Sequence, residues 1–352
     1  MNPPEVASAR RILIVKPSSL GDIVHTLPLL ALLRQQAPGA EIRWLVNELW
    51  APLLQGHPLL DGVIEFPRQA LRGLRAPLGF VEWVRRQSDW RPDLAIDVQG
   101  LLRSLLLARA FGPRKLIGYS DAREGARFGF DEVVETGLAQ SPHAVDRYLS
   151  LAGHFGWEIP RPLPFPLPSG KAPEGSETLP SRFVLLHPFS RGRGKSLEVS
   201  QVAELCQRLQ GIPIVLAGRA DVSLGEGLEV SNWLNRTSLP ELIWLLERAA
   251  FTVSVDSGPM HLAAAVSSRV LSLHTWSDPV KVGPYPDDAF AWKAGSIRSM
   301  QDWRASGTDL QGTRGKGEFP SEAIPAVADF VRAAAAGGDG HPLPSKGGTV
   351  PT

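Results

Sequence analysis

Arg11-Ile-Leu-Ile-Val-Lys-Pro-Ser-Ser-Leu-Gly-Asp-Ile-Val-His-Thr-Leu-Pro28 decides the fold. Its first five residues are few, apolar and partly β-branched, as expected of a parallel strand buried on both faces. A Ser/Gly loop follows, and then HTLPLLALLRQQAP, which reads as helix. Working outward, the alternation recurs: EIRWLV as strand, LWAPLLQGH as helix, VIEF as strand, a helical stretch through Phe80 to Arg86, and DLAIDV as strand. Strands and helices in that order build a doubly wound α/β domain.

Between Ile159 and Ser181 the segment IPRPLPFPLPSGKAPEGSETLPS is too rich in proline, glycine and serine to carry a helix or strand. The interdomain linker is placed within it, at 166–180. Beyond it RFVLLHP, VSQVAELCQRL, IPIVLAG, ELIWLLERA and FTVSVDSG repeat the pattern. The expected organisation is a Rossmann-like domain over 1–165, a second over 181–320, a closing helix over 321–336, and a disordered tail over 337–352. A chain of 352 residues with 43% apolar content suits two cores better than one.

One cysteine, Cys206, excludes a disulfide within the chain and reads as a small buried apolar residue. A formal charge of +1 argues against a general nucleic-acid partner. Between Arg68 and Arg127, however, twelve Lys/Arg stand against six Asp/Glu, which suits an acidic partner or makes a solvated basic face. No window reaches the ~18 uninterrupted apolar residues of a membrane-spanning helix, and MNPPEVASARR lacks a signal-peptide core, so a cytoplasmic protein is expected.

Three loops that follow strands could carry chemistry. Lys16-Pro-Ser-Ser-Leu-Gly-Asp22 lies where open α/β sheets gather ligand groups, so Asp22 is either a cleft carboxylate or a helix cap. It is neither GxGxxG nor a Walker loop, which counts against a nicotinamide dehydrogenase and against a P-loop NTPase. Asp256-Ser-Gly-Pro-Met-His261 opens the helix HLAAAV, and amides at a helix N-terminus suit a diphosphate; alternatively it is only a tight turn. His187-Pro-Phe-Ser-Arg-Gly-Arg-Gly-Lys195 offers a hydroxyl, cations and glycines for close approach to phosphate, with Ser190 and Lys195 as candidates, or is a mobile basic loop.

Three strings in order, IVKPSSLGDIVHTLP, the loop from HPFS to Lys195, and VSVDSGPMHLAAAV followed by SDPxxxGPYP, resemble the lipopolysaccharide heptosyltransferases of glycosyltransferase family 9. The KPSSLGDIVHTLP form is most similar to the heptosyltransferase I members, which build onto Kdo. The resemblance runs from about Arg11 to Pro286 and implies a GT-B fold, two Rossmann-like domains facing a central cleft. It implies an inverting, metal-independent transfer of heptose from ADP-heptose to a Kdo residue of the inner core, with Kdo-lipid A as acceptor.

By that resemblance Asp22 is the general base and Lys195 neutralises the leaving diphosphate. Ser190, Asp256, Ser257, Gly258, Met260 and His261 contact the donor. Ser19, Gly21, Gln99, Arg103, Arg123 and Arg147 serve the acceptor, and Asp97 lies on the cleft-lining strand end. Each arginine is equally readable as a surface or salt-bridge residue. Two positions depart from the family: Ser196-Leu197 replaces its Trp-Pro pair, and its ribose-binding glutamate, expected after IPIVLAG, has no clear equal in GRADVSLGEG, which leaves Asp221 as the nearest acid for the ribose.

A nucleoside diphosphate leaving group develops charge that Lys195 and helix amides can stabilise, so neither cofactor nor metal is expected. Asp22, weak at an ordinary pKa of about 3.9, should be strengthened as a base by burial. The implied partners are the nucleotide-sugar donor, the acceptor and the inner face of the inner membrane, with the protein acting as a monomer. A related GT-B transferase or epimerase with another donor, or a non-catalytic sugar-nucleotide-binding module, is the competing reading.

Overall fold

The computed structural model describes residues 4–68, 76–87, 89–137, 141–225 and 227–336; the expected tail at 337–352 lies outside them. The chain forms two compact units, Met1–Pro168 and Ser169–Thr352.

The described residues of the first unit hold six strands: β1 (Arg11–Val15), β2 (Glu41–Asn47), β3 (Gly62–Phe66), β4 (Leu94–Asp97), β5 (Lys115–Tyr119) and β6 (Glu132–Val134). They form one all-parallel sheet in the order β3-β2-β1-β4-β5-β6. Among the described residues five helices accompany it: α1 (Pro4–Ser8), α2 (Leu20–Gln36), α3 (Ala76–Arg86), α4 (Leu102–Ala110) and α5 (Ala144–His154). Ile12, Leu13, Ile14 and Val15 are all fully buried, as a central parallel strand requires. Leu13 and Val15 pack with Leu45 and Ala95 against Leu105 and Ala108 of α4, and with Phe80 and Trp83 of α3. Such side chains stabilise by roughly 1.5–3 kcal/mol each, and truncating Leu13 to Ala would cost about 2–5 kcal/mol.

The second unit adds β7 (Phe183–His187), β8 (Ile214–Gly218), β9 (Ser231–Leu234), β10 (Ala249–Val255), β11 (Val270–Leu273), β12 (Phe290–Lys293) and β13 (Ser296–Ser299). Its sheet runs β13-β12-β11-β10-β7-β8-β9, parallel except for the β12–β13 pair. The helices are α6 (Val199–Arg208), α7 (Leu239–Arg248), α8 (Gly258–Val266), α9 (Pro279–Val282), α10 (Met300–Ala305) and α11 (Ile324–Ala336). Val327 and Val331 of α11 share a core with Leu205 of α6 and Phe251 of β10.

Several local expectations change. LWAPLLQGH is no helix; only Ala51–Leu53 form a single 3-10 turn, and Gly56, with positive φ, ends the turn that follows it. α2 begins at Leu20, so the Lys16 loop is shorter than its sequence suggests and Asp22 sits inside the first turn. Short or polar strands such as KLIGY, SNWL and SIRS give no periodic signal. The segment placed as linker is tied down on both sides: His57 Nε2 bonds Pro166 O at 3.0 Å, and Lys171 N donates to Pro240 O at 3.0 Å. The two units divide between Pro168 and Ser169, within the stretch 166–180.

Candidate functional site

In each sheet the strand order reverses at one point, between β1 and β4 and between β7 and β10, and ligands of doubly wound sheets gather at the carboxyl ends flanking that point. Those four strand ends carry Lys16–Asp22, Asp97–Gln99, His187–Lys195 and Asp256–His261.

In the first unit Ser19 is the N-cap of α2 and Asp22 its third residue. Asp22 Oδ2 accepts from the Ser19 amide at 2.9 Å and the Ser19 hydroxyl at 2.7 Å. Its Oδ1 accepts from Tyr148 OH at 3.0 Å and faces Lys16 Nζ at 3.8 Å. Capping and chemistry thus coincide in one carboxylate, whose side chain remains 35% exposed. Burial alone would raise its pKa, but Lys16, the two Ser19 donors and Tyr148 outweigh that and hold it below the ordinary value. The expected elevation is absent, because the burial that excludes water also brings a cation and three donors to the charge.

Lys16 is buried, lies over the Tyr148 ring at 5.1 Å, and is lowered to about 8, chiefly by burial against the pull of Asp22. Asp97 is fully buried and pushed up to about 6 by burial, despite bonds from the Gln99 and Gly100 amides and the Ser104 hydroxyl. Gln99 accepts from Ser18 N at 3.3 Å. A cavity of about 50 Å³ beside it is lined by Ser18, Asn47, Phe66, Arg68, Gln99 and Arg103.

The acceptor candidates separate. Arg103 and Arg123 are exposed and have no side-chain partner among the described residues. Arg147 is committed elsewhere: it clasps Asp121 through Nε at 2.6 Å and Nη2 at 2.8 Å, and lies over Tyr119 and Tyr148. Gly21 is buried in the first turn of α2.

In the second unit Lys195 Nζ meets Asp256 Oδ2 at 2.5 Å and lies 4.8 Å from the Trp276 ring. Asp256 is held below its ordinary pKa: burial opposes this, but His274, Lys195 and Ser277 prevail. His274 is fully buried, bonded to Ser272 and Ser277, and lowered to about 4 by burial, so it is neutral at pH 7. Ser257 caps α8, whose second residue, Pro259, supplies no amide, so the donor row is shorter than the sequence suggests. Met260 and His261 are buried in that first turn.

The basic loop is bonded to its neighbours. Ser190 Oγ accepts from Gly192 N at 3.2 Å, Thr275 Oγ1 donates to Gly194 O, and Trp276 Nε1 donates to Arg193 O at 3.2 Å. Gly194 has φ +69° and lies against Gly317 O, where a Cβ would not fit. Asp221 is exposed on the loop after β8. Sequence reasoning does not mark Lys16, Tyr148, His274, Trp276 or Lys293 as site residues; Lys293 Nζ donates to Thr275 O at 2.5 Å. Only SDPxxxGPYP, immediately after Trp276, gives a signal for the last three. Among the described residues no group of three or more His, Cys, Asp or Glu is arranged to hold a metal, and no helix is long and apolar enough to cross a membrane.

Two doubly wound units with charged loops at both switch points define a glycosyltransferase architecture of the GT-B class. The chain belongs to glycosyltransferase family 9 (heptosyltransferase), whose model matches residues 86–305. It is 32% identical to lipopolysaccharide heptosyltransferase 1 of Pseudomonas aeruginosa, over 78% of this chain and 81% of that protein. With the protein of the same name from Salmonella typhimurium it shares 30%, over 80% and 93%. The structure of Escherichia coli heptosyltransferase WaaC with ADP superimposes with a TM-score of 0.70 at 26% identity, covering 92% of this chain and 99% of that one. WaaC has also been solved with ADP-2-deoxy-2-fluoro heptose, at TM-score 0.66 and 25% identity, covering 81% and 93%.

Proposed function

We propose that this protein transfers heptose from ADP-heptose to a Kdo residue of the lipopolysaccharide inner core, inverting the anomeric carbon without a divalent metal. The observation that carries the reading is Asp22: an ionised, partly exposed carboxylate, held by Ser19, Tyr148 and Lys16 at the switch point of a family 9 chain.

An acceptor hydroxyl bonds to Asp22 and attacks the anomeric carbon. The new C–O bond forms as the bond to the diphosphate breaks, the hydroxyl proton passes to the carboxylate, and ADP leaves. One displacement inverts the centre. The low pKa of Asp22 keeps the base deprotonated at neutral pH, and transfer comes late, once the attacking oxygen has become acidic. Lys195 meets the charge that develops on the phosphate, aided by Ser190, Ser257, Gly258, Met260 and His261; Asp256 orients Lys195 and the sugar, and Asp221 serves the ribose. Ser19, Gly21, Gln99, Arg103 and Arg123 receive the acceptor, and Arg147 supports them through Asp121. With these cations in place neither cofactor nor metal is needed. The protein works as a cytoplasmic monomer lying against the inner membrane.

The test is incubation with Kdo-lipid A and, in parallel, ADP-heptose, UDP-sugars or GDP-sugars. A heptosylated product and ADP from ADP-heptose alone, of inverted configuration by NMR and unaffected by chelator, support the reading. Preference for another donor, retention, or magnesium-dependent turnover would refute the corresponding part.

A further inference from the structure

The first unit carries an apolar surface that its own core does not use. On α4, Leu102 is 44% and Leu106 57% exposed, and Phe128, in the 3-10 turn Ala126–Gly129, is 91% exposed. The two segments are contiguous. Leu102 N donates to Glu124 Oε2 at 3.2 Å, Leu105 fills the space beside Gly129 Cα, and Arg109 Nη2 bonds Gly129 O at 2.6 Å. On the same side of the sheet, α3 meets the end of α4 through the Trp83–Phe111 ring contact and presents Leu78 (74% exposed) and Val81 (46%).

Charge completes the pattern. Arg103, Arg123 and Arg127 flank these apolar residues, are exposed, and have no side-chain partner among the described residues. Of the neighbouring acids, Asp131 is paired with Arg109 at 2.7 Å, and Glu124, which accepts only from Leu102 N, keeps its charge but is outnumbered by the three arginines. A ring of outward apolar side chains among unneutralised arginines complements a surface that is apolar beneath and anionic at its plane.

We propose that the α3–α4 face, centred on Leu106 and Phe128, is the surface by which this protein docks on an anionic phospholipid bilayer. The proposal rests on the reading of a lipid-borne acceptor and adds where the membrane sits. Phe128 and Leu106 enter the headgroup boundary, and Arg127 pairs with lipid phosphates.

The full-length protein is sedimented with vesicles of phosphatidylethanolamine and phosphatidylglycerol in equal parts, and with phosphatidylcholine vesicles. The expected result is binding to the anionic vesicles at least about tenfold tighter than to the neutral ones, weakened by salt. The variant Leu106→Gln/Arg127→Gln/Phe128→Gln should lose about tenfold or more of that binding while retaining turnover on a deacylated, water-soluble Kdo acceptor. Equal partition between vesicle types, or undiminished binding by the variant, would overturn the proposal. So would a dimer in vesicle-free solution that the variant dissolves, which would assign the face to a second copy. Anionic-vesicle binding without any transfer to the soluble acceptor would leave the docking face standing and remove the reaction proposed above.

Discussion

Tyr148 OH donates a 3.0 Å hydrogen bond to Asp22 Oδ1 across 126 residues of sequence. The bond joins the first turn of α2 to α5, and the same tyrosine ring lies under Lys16 and beside Arg147. Burial and the Asp22 charge drive the phenol well above its ordinary pKa, so it remains a donor at every physiological pH. The carboxylate is therefore aimed by groups from two helices and the end of β1.

Removing the carboxylate charge tests the proposed base. Asp22→Asn keeps the shape of the first turn and should lower turnover by roughly 10² to 10⁴ while leaving ADP affinity nearly unchanged. Single-turnover kinetics with calorimetric ADP binding read both quantities. Turnover within a few-fold of wild type would remove Asp22 from that role.

Tyr148→Phe deletes one donor and keeps the ring. Since that donor helps depress the Asp22 pKa, its loss must raise it, and the acidic limb of the kcat/KM profile should move to higher pH. Activity well above the limb should survive. An unmoved limb with uniformly reduced kcat would show that Tyr148 only braces α5.

Asp97 makes a stability prediction. Its folded pKa of about 6 lies above the 3.8 of a solvated aspartate, so between those values the folded state binds more protons than the unfolded one. Stability must therefore fall as pH rises from about 4 to 6, by about 2 kcal/mol over that interval for so fully buried a group. Asp97→Asn can accept the same Gln99 and Gly100 amide bonds and should flatten that decline, measured by urea unfolding at each pH. A slope equal to wild type would contradict the assignment.

Lys195 and Asp256 form a partly buried pair, and removing one partner leaves the other charge unmatched. Lys195→Met should destabilise by about 3 kcal/mol or more, seen as a lower Tm, as well as weaken ADP binding. Lys195→Arg should restore most of the Tm, since a guanidinium also packs on Trp276, but little of the turnover, because its charge is spread over a planar fork and not held at the point the ammonium occupies. Full recovery of both would show that charge alone matters at this position.

Much of this molecule was written in local sequence. RILIV and RFVLLH are apolar on both faces and could only be central strands; strand–helix alternation then set two doubly wound units, and the Pro/Gly-rich stretch between them marked the division. The loops at strand ends were legible because turn chemistry is local, and Asp22, Lys195 and Asp256 stand out within them. Short strands such as SIRS escaped because edge pairing, not periodicity, makes them strands.

Only the tertiary structure decided what those side chains face. No pattern within ten residues of Asp22 shows that Tyr148 will cap it, and none near Arg147 shows that Asp121 will claim one edge of its guanidinium through Nε and Nη2. Nor could sequence set the Asp22 pKa, where burial and its new neighbours pull in opposite directions and the sum depends on distances of a few ångströms. Periodicity and turn preference act between near neighbours and survive in the sequence. Coulombic and hydrogen-bonding partners are assembled by chain crossings, and exist only once the sheet has closed around them.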